Sequence, residues 1–364
     1  MLQLLCSSGV DLMAQMPLLS ECLHRLVPSF SLSMIRVDER CVPTAHYSEH
    51  FNEASHALFA QSGDHFSART SDPSGFANLM ANANPVGSLV DGRPEYLAGL
   101  VYQHLFQPNG IHHTLDVALR DGREPLAILG IFREQAAPGF AREHIQTMRA
   151  VYPHLVHACR ADARSLGFDE LDSALIVVDA DGRIAWASTA ARSWLAEGSF
   201  GGERTLLLEE GVVPEACKAL VALVRRAGRM PRVGETLSVP HVNIPVPGGR
   251  LSLRGYALED GGGAPGGYVG IQVRLEVDRG LRILRALDDS GLTPQQLRIA
   301  WGLVLGQRNA ELCASLEIGA TTLKSYQKDM YRRLEVGGAQ ELTARVTELA
   351  AGSRVDRARH QPRA

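Results

Sequence analysis

The stretch from 292 to 336, LTPQQLRIAWGLVLGQRNAELCASLEIGATTLKSYQKDMYRRLEV, carries helix start and stop signals so closely spaced that it reads as three short packed helices. Thr293 can cap the first helix, Pro294 fits its first turn, and Gln296 completes a capping box. Leu297, Ala300, Trp301 and Val304 form that helix's apolar stripe, and Gly306 stands where a left-handed C-terminal cap belongs. Asn309 can cap a second helix with Leu312, Cys313 and Leu316 turned inward. A tight turn at Gly319 then leads into a third helix over residues 320–334. Leu323, Met330 and Leu334 lie on one side of it, and Lys324, Ser325, Lys328 and Arg332 on another. An anchored back and a basic front, entered by a tight turn from another helix, is a shape that the DNA major groove accepts. One element resists this reading: Gly302, in mid-helix, costs about 1 kcal/mol relative to Ala.

The segment resembles the LuxR-type helix-turn-helix. The family pattern appears as Leu292-Thr293, Gly306, Asn309 with Glu311, Leu316 with Ile318, Thr322-Leu323-Lys324, and Arg333-Leu334-Glu335-Val336, without a gap. The resemblance implies that Lys324, Ser325 and Lys328 reach base edges while Thr322, Arg332 and Arg333 hold phosphates. It also implies that a fourth helix, carrying Leu342, Val346 and Leu349, is a dimer contact. The departures are Gln295-Gln296 where the family has Arg-Glu, Gly319 where it has a capping Ser, and Tyr326 where it often has His. None of them removes a groove-facing lysine.

Composition sharpens this. The 364 residues carry 37 Lys+Arg against 40 Asp+Glu, a net charge of -3, yet only Lys218, Lys324 and Lys328 are lysines. The absence of Gly-Lys-Ser/Thr excludes a P-loop, and the absence of any lysine before 218 excludes an N-terminal phospho-receiver domain. From 288 onward there are 11 basic and 9 acidic residues, so the positive charge gathers where DNA is expected. Hydrophobic residues at 45% and charged residues at 21% are ordinary for a globular chain. The six cysteines are scattered with no C-x-x-C pair, which reads as reduced thiols rather than a zinc or redox motif. The N-terminus is a poor signal peptide, and no apolar run reaches the ~20 residues of a membrane span. A cytoplasmic protein with no membrane contact is expected.

Ahead of the helical segment lie two α+β blocks. Residues 1–164 open on an amphipathic helix (Leu12, Met16, Leu19, Leu23), with a strand over 30–37 and a hairpin of 114–119 and 126–132 around Asp121-Gly122. They close on a helix over 139–164, and this order resembles a GAF-type sensor. Residues 165–277 contain SALIVVDADGRIAWASTAARSWL, which resembles the opening of a PAS domain. Strands over 236–246, 250–258 and 268–276 follow, with a Gly/Pro-rich loop at 261–267. The expected chain is therefore an α+β multidomain protein: a GAF-like sensory domain (1–164), a PAS-like sensory domain (165–277), a connector helix (278–290), an all-α tetrahelical helix-turn-helix domain (291–352) and a disordered tail (353–364).

The other signals are weaker. His112-His113 and His154-x-x-His157 lack carboxylate or thiolate companions, so surface or packing roles are expected rather than a metal. The helix stretch YPHLVHACR, 152–160, reads as packing between blocks or protomers. Trp186 and Trp194 either line a cavity or build a core. The first block has no Trp, which disfavours the acyl-homoserine-lactone ligand that the family resemblance would bring to mind. No nucleophile elbow, zinc-hydrolase helix or cofactor fingerprint is present, so no enzyme and no cofactor is expected. The leading expectation is a dimeric transcriptional regulator that binds double-stranded DNA at an inverted repeat and answers to a small-molecule effector of unknown site. The alternative is an interaction protein that uses a degenerate helix-turn-helix to dock a protein partner.

Overall fold

Chain order in the N-terminal block is set by local signals that then meet across a sheet. A computed structural model of the chain describes residues 1–49, 72–88, 94–161, 166–198, 211, 213–228, 239–259 and 265–352. The tail at 353–364, the start of the expected 236–246 strand and most of the 261–267 loop lie outside these residues. After α1 (Leu2–Ser7), the Asp11 carboxylate accepts from the backbone N–H groups of Met13 and Ala14 at 2.9 and 3.0 Å and starts α2 (Leu12–Leu26). Then come β1 (Ser31–Val37), β2 (Pro43–Ser48), α3 (Phe76–Ala81), β3 (Val86–Gly87), α4 (Pro94–Ala98), β4 (Ile111–Asp121), β5 (Glu124–Glu134) and α5 (Arg142–Arg160). The last is shorter than the helix expected over 139–164. Its first turn begins only after Ala141, whose N–H donates to His144 Nδ1 at 3.0 Å.

The five strands form an antiparallel sheet in the order β2-β1-β5-β4-β3. Strand alternation gives this sheet two buried faces. Leu32, Met34, Leu115, Val117, Leu129 and Ile131 face α1, α2 and α5, where Met148, Val151 and Leu155 complete the packing. Ile35, Ala118 and Ile128 belong to the opposite face, under Phe76, Leu79 and Tyr96.

The second block repeats that strand order. Its elements are β6 (Phe168–Val178), β7 (Ile184–Ala187), α6 (Thr189–Gly198), α7 (Glu215–Gly228), β8 (His241–Val246), β9 (Gly249–Glu259) and β10 (Pro265–Asp278). The sheet runs β7-β6-β10-β9-β8. Its core joins Ile176, Leu251, Leu253 and Ile271 to Leu195, Cys217, Leu220 and Val224 on the two helices. Gly255 makes this close packing possible: a Cβ there would stand 2.5 Å from Val224 Cγ2. Trp194 is core at 4% exposure, whereas Trp186 is 62% exposed, its ring tilted against Tyr268 at 5.6 Å between centroids. Burial pushes the thiols of Cys6, Cys159 and Cys217 up to about 12.

The last five helices begin without a break from β10. Asp278 accepts from Leu281 N–H at 3.2 Å and starts α8 (Arg279–Asp288). Then follow α9 (Pro294–Val304), α10 (Asn309–Leu316), α11 (Ala320–Leu334) and α12 (Ala339–Gly352). The connector is no free linker, because Leu281, Ile283, Leu284 and Leu287 are buried in one cluster with residues of the first block and of α9 to α12. At Gly280 a Cβ would sit 3.2 Å from Val10 and 3.3 Å from Trp301, so first block, connector and helical domain meet at a residue without a side chain. Polar ties reinforce the junction. Arg285 donates to Glu21 at 2.5 Å, Arg25 to Asp288 at 3.1 Å, and Arg279 and Arg282 to Asp169 at 2.8 and 3.0 Å. Arg282 also donates to the Ala351 carbonyl at the end of α12.

Among the described residues no helix is long and apolar enough to cross a membrane. No three His, Cys, Asp or Glu side chains cluster there as a metal site would require. His112 instead pairs with the Tyr102 hydroxyl at 2.8 Å, and His154 with Gln3 at 3.2 Å.

Candidate nucleic-acid interface

The capping box that starts α9 forms as its residue types dictate: Thr293 Oγ1 accepts from Gln296 N–H at 3.4 Å, and Gln296 Oε1 accepts from Thr293 N–H at 3.0 Å. Gly306 adopts the left-handed conformation at φ +77°. Two local expectations change. Asn309 is the first residue inside α10 rather than its cap; Glu311 Oε2 accepts from Arg308 N–H at 2.7 Å instead. Asn309 Oδ1 is used between helices, accepting from Gln327 Nε2 of α11 at 2.8 Å. The reversal before α11 falls on Glu317, at φ +53°, whereas Gly319 is the extended N-cap at φ -73°. Ile318 N–H donates to the Cys313 carbonyl and closes that turn at 3.1 Å.

Gly302 has a reason that propensity does not reveal. A Cβ there would lie 2.4 Å from Leu312 Cδ2 and 2.5 Å from Gln307 Oε1. The glycine lets α9 and α10 approach, and close packing between helices outweighs the local helix cost.

Helix α11 buries Leu323, Gln327, Met330 and Leu334. At roughly 100° per residue, Lys324, Ser325, Lys328 and Arg332 fall within an arc of about 100°, across the helix from that stripe. All four are exposed. Thr322 and Arg333 are exposed too, but flank this arc on one side. The two arginines are held by neighbours. Asp329 pairs with Arg332, and with Arg333 Nε at 3.2 Å, and Arg333 Nη1 donates to the Gly291 carbonyl at 3.2 Å. The Arg332 contact, with Gln296 Nε2 donating at 2.8 Å, holds the Asp329 carboxyl below its usual range. Gln296 and Gln327, both nearly buried, thus fix the basic helix onto α9 and α10. Gln327 was not singled out from the sequence; its signal is a polar residue on the apolar stripe, in step with Leu323 and Leu334.

The fourth helix requires a correction. Leu342 and Val346, expected at a dimer contact, are 0% and 1% exposed. They are packed inward in the chain's own core, where α12 lies against α8 and α9. An apolar stripe that seals its own domain cannot also meet a second protomer. Leu349, at 37% exposure, remains on the surface.

The geometry defines a four-helix helix-turn-helix unit with an exposed basic third helix. Residues 290–346 match the family described as "Bacterial regulatory proteins, luxR family", so the chain carries a LuxR-family helix-turn-helix domain at those positions. No curated protein matches the chain. Solved structures similar to it include the Vibrio cholerae VqmA–ligand–DNA complex (14% identity, TM-score 0.29, 53% of this chain and 90% of that one). They also include phage VqmA with DPO (15%, 0.25, 51% and 85%) and the sensor region of a sensor histidine kinase (15%, 0.17, 72% and 89%). At such TM-scores the chains do not superpose as wholes.

Proposed function

We propose that the protein is a LuxR-type transcriptional regulator, without catalytic activity, that seats α11 in the DNA major groove. In this reading Lys324, Ser325 and Lys328 meet base edges, and Thr322, Arg332 and Arg333 hold phosphates. The observation that carries it is the placement of both α11 lysines on an exposed arc opposite a buried stripe, with the helix clamped from behind by Gln296 and Gln327. Asp329 keeps the two arginines at the helix end, ordered before phosphate arrives.

One such helix offers few base contacts, so the reading includes a homodimer on an inverted repeat. Leu349 is the part of the family's fourth-helix contact still available to a second protomer. The two upstream blocks act as GAF-like and PAS-like sensory domains for a small-molecule effector; their shared strand order supports this. Helix α8, tied to both blocks and to α12, passes their state to the DNA-binding unit. The reading places the protein in the cytoplasm, away from membrane.

Genomic binding-site mapping supplies the operator. Replacing Lys324 and Lys328 by Ala is then expected to abolish selective binding in a shift assay while circular dichroism stays unchanged. Replacing Arg332 or Arg333, which hold phosphates in this reading, should instead lower the magnitude of the salt slope by roughly 0.9 per lost contact. Unchanged operator affinity in the double variant overturns the assignment.

A further inference from the structure

One exposed side chain in the first turn of α11 has no part in the contacts assigned above. Thr321 is exposed, as are Ala320 and Thr322 on either side of it. Its spacing sets it apart from both. Thr321, Lys324, Ser325 and Lys328 stand at i, i+3, i+4 and i+7, which is one face of a helix. At roughly 100° per residue, Thr321 falls near the middle of the arc of about 100° that Lys324, Ser325, Lys328 and Arg332 span. Thr322 is turned about 100° away from it, toward the side of Asp329 and Arg333.

The surroundings of Thr321 are slim and uncharged. Ala320 beside it ends at a methyl, a Cβ at Gly319 would meet nothing within 4 Å, and the first turn holds no acidic residue. The first long side chain on this face is Lys324, about one turn further on. In a helix-turn-helix the N-terminal residues of the second helix reach base edges, so a slim first turn lets the helix tip enter the groove to the depth of the bases. The Thr321 hydroxyl makes no hydrogen bond among the described residues. Thr343 and Thr347, inside α12, donate instead to the carbonyls of Ala339 and Thr343 one turn back, at 3.0 and 2.8 Å. Thr321 stands second in its helix and has no helical turn behind it to bond.

We infer that Thr321 is a specificity-determining residue that selects thymine. The C5-methyl group marks thymine in the major groove, and apolar contact from a Thr methyl recognises it. Lys324 and Lys328 suit the N7 and O6 acceptors of guanine instead. Three residues of helix rise about 4.5 Å, against about 3.4 Å per base pair of duplex. The selected thymine therefore lies one or two base pairs from the Lys324 contact. Thr321 adds to each half-site the one mark that a lysine does not sense. The inference rests on the DNA-binding reading above and adds to it which base the first turn chooses.

The test uses the full chain and the mapped operator, with each thymine of a half-site replaced singly by deoxyuridine, which pairs alike and lacks only the C5-methyl group. Affinity is read by fluorescence anisotropy at one fixed salt concentration. For the unaltered protein, one deoxyuridine position near the Lys324 contact should weaken binding roughly fourfold, the effect of withdrawing one methyl from an apolar contact, and roughly 15-fold when both half-sites carry it. Thr321→Ser, which keeps the hydroxyl and loses the methyl, should bind the thymine and deoxyuridine operators alike. Thr321→Val, which keeps the branched shape and its methyl, should preserve the difference, with circular dichroism unchanged in both variants. A deoxyuridine profile that is the same in Thr321→Ser, or the absence of any thymine whose methyl matters, overturns the role of Thr321 and leaves the DNA-binding reading standing. So does a Thr321→Ser variant that weakens every duplex equally and lowers the salt slope, the mark of a phosphate contact. Failure of the unaltered protein to bind any operator selectively overturns that reading and the role of Thr321 with it.

Discussion

Gln296 Nε2 of α9 donates to Asp329 Oδ2 of α11 at 2.8 Å, while the same side chain's Oε1 closes the cap at Thr293. One buried amide therefore starts the first helix of the unit and fixes the basic helix against it. Gln296→Ala removes both bonds. It should destabilise the helical domain by about 1–2 kcal/mol. Hydrogen exchange at the first-turn amides of α9 should accelerate by roughly 5- to 30-fold, a change that Ala at the half-buried neighbour Gln295 should not produce.

Gly302→Ala tests whether packing or propensity governs the middle of α9. Propensity alone favours Ala by about 1 kcal/mol. The Leu312 methyl 2.4 Å from the added Cβ argues the reverse, and the substitution should cost about 1–3 kcal/mol in urea denaturation. Adding Leu312→Val to Gly302→Ala should recover part of the loss. A stabilised single variant would mean that α9 and α10 are further apart than described.

The pairs Glu21–Arg285 and Arg25–Asp288 join α2 to α8 with complementary charge. Glu21→Arg brings a third cation to this patch and should weaken the junction. The swap Glu21→Arg with Arg285→Glu should restore it. Both pairs are partly exposed, so a double-mutant cycle should give a coupling of only roughly 0.2–1 kcal/mol. A coupling of zero would leave the apolar cluster around Leu284 as what holds the connector.

Asp169 predicts an acid limit for the other side of the connector. Its hydrogen bond to Arg279, with Arg282 alongside, holds the carboxyl below the usual range. A depressed folded-state value stabilises above the unfolded value, near 4, and that contribution is lost as pH falls through the folded value. Exchange protection of α8 should thus be flat from pH 5 to 8 and begin to fall only below about pH 4. Asp169→Asn should show lower protection at neutral pH and no such step.

Much of the interface was readable because its chemistry is local. Thr293, Pro294 and Gln296 lie within four residues, and the faces of α11 follow from one helical period. Leu323, Met330 and Leu334 went inward for the reason their spacing implied. What local pattern misjudged were residues whose partner lies elsewhere: Asn309 looks like a cap but serves Gln327, and Gly302 looks like a fault until Leu312 arrives. Leu342 and Val346 form an apolar stripe that suits a partner protomer or the chain's own core equally well. Only the docking of α12 on α8 and α9 chose the core.

The amino-acid order by itself determined the start of α9, the two-faced basic helix α11, the hairpin around Gly122 and the absence of a P-loop, because each depends on residues a turn or two apart. Tertiary structure decided which Gln clamps the basic helix, which apolar residues of α12 are spent inside, and how α8 is held between the blocks. It also decided the cross-strand row of Ser33, Gly130 and Asp116, which come together only when β1, β5 and β4 pair in one register. Strand pairing joins residues about a hundred positions apart, and no periodicity along the chain records that choice.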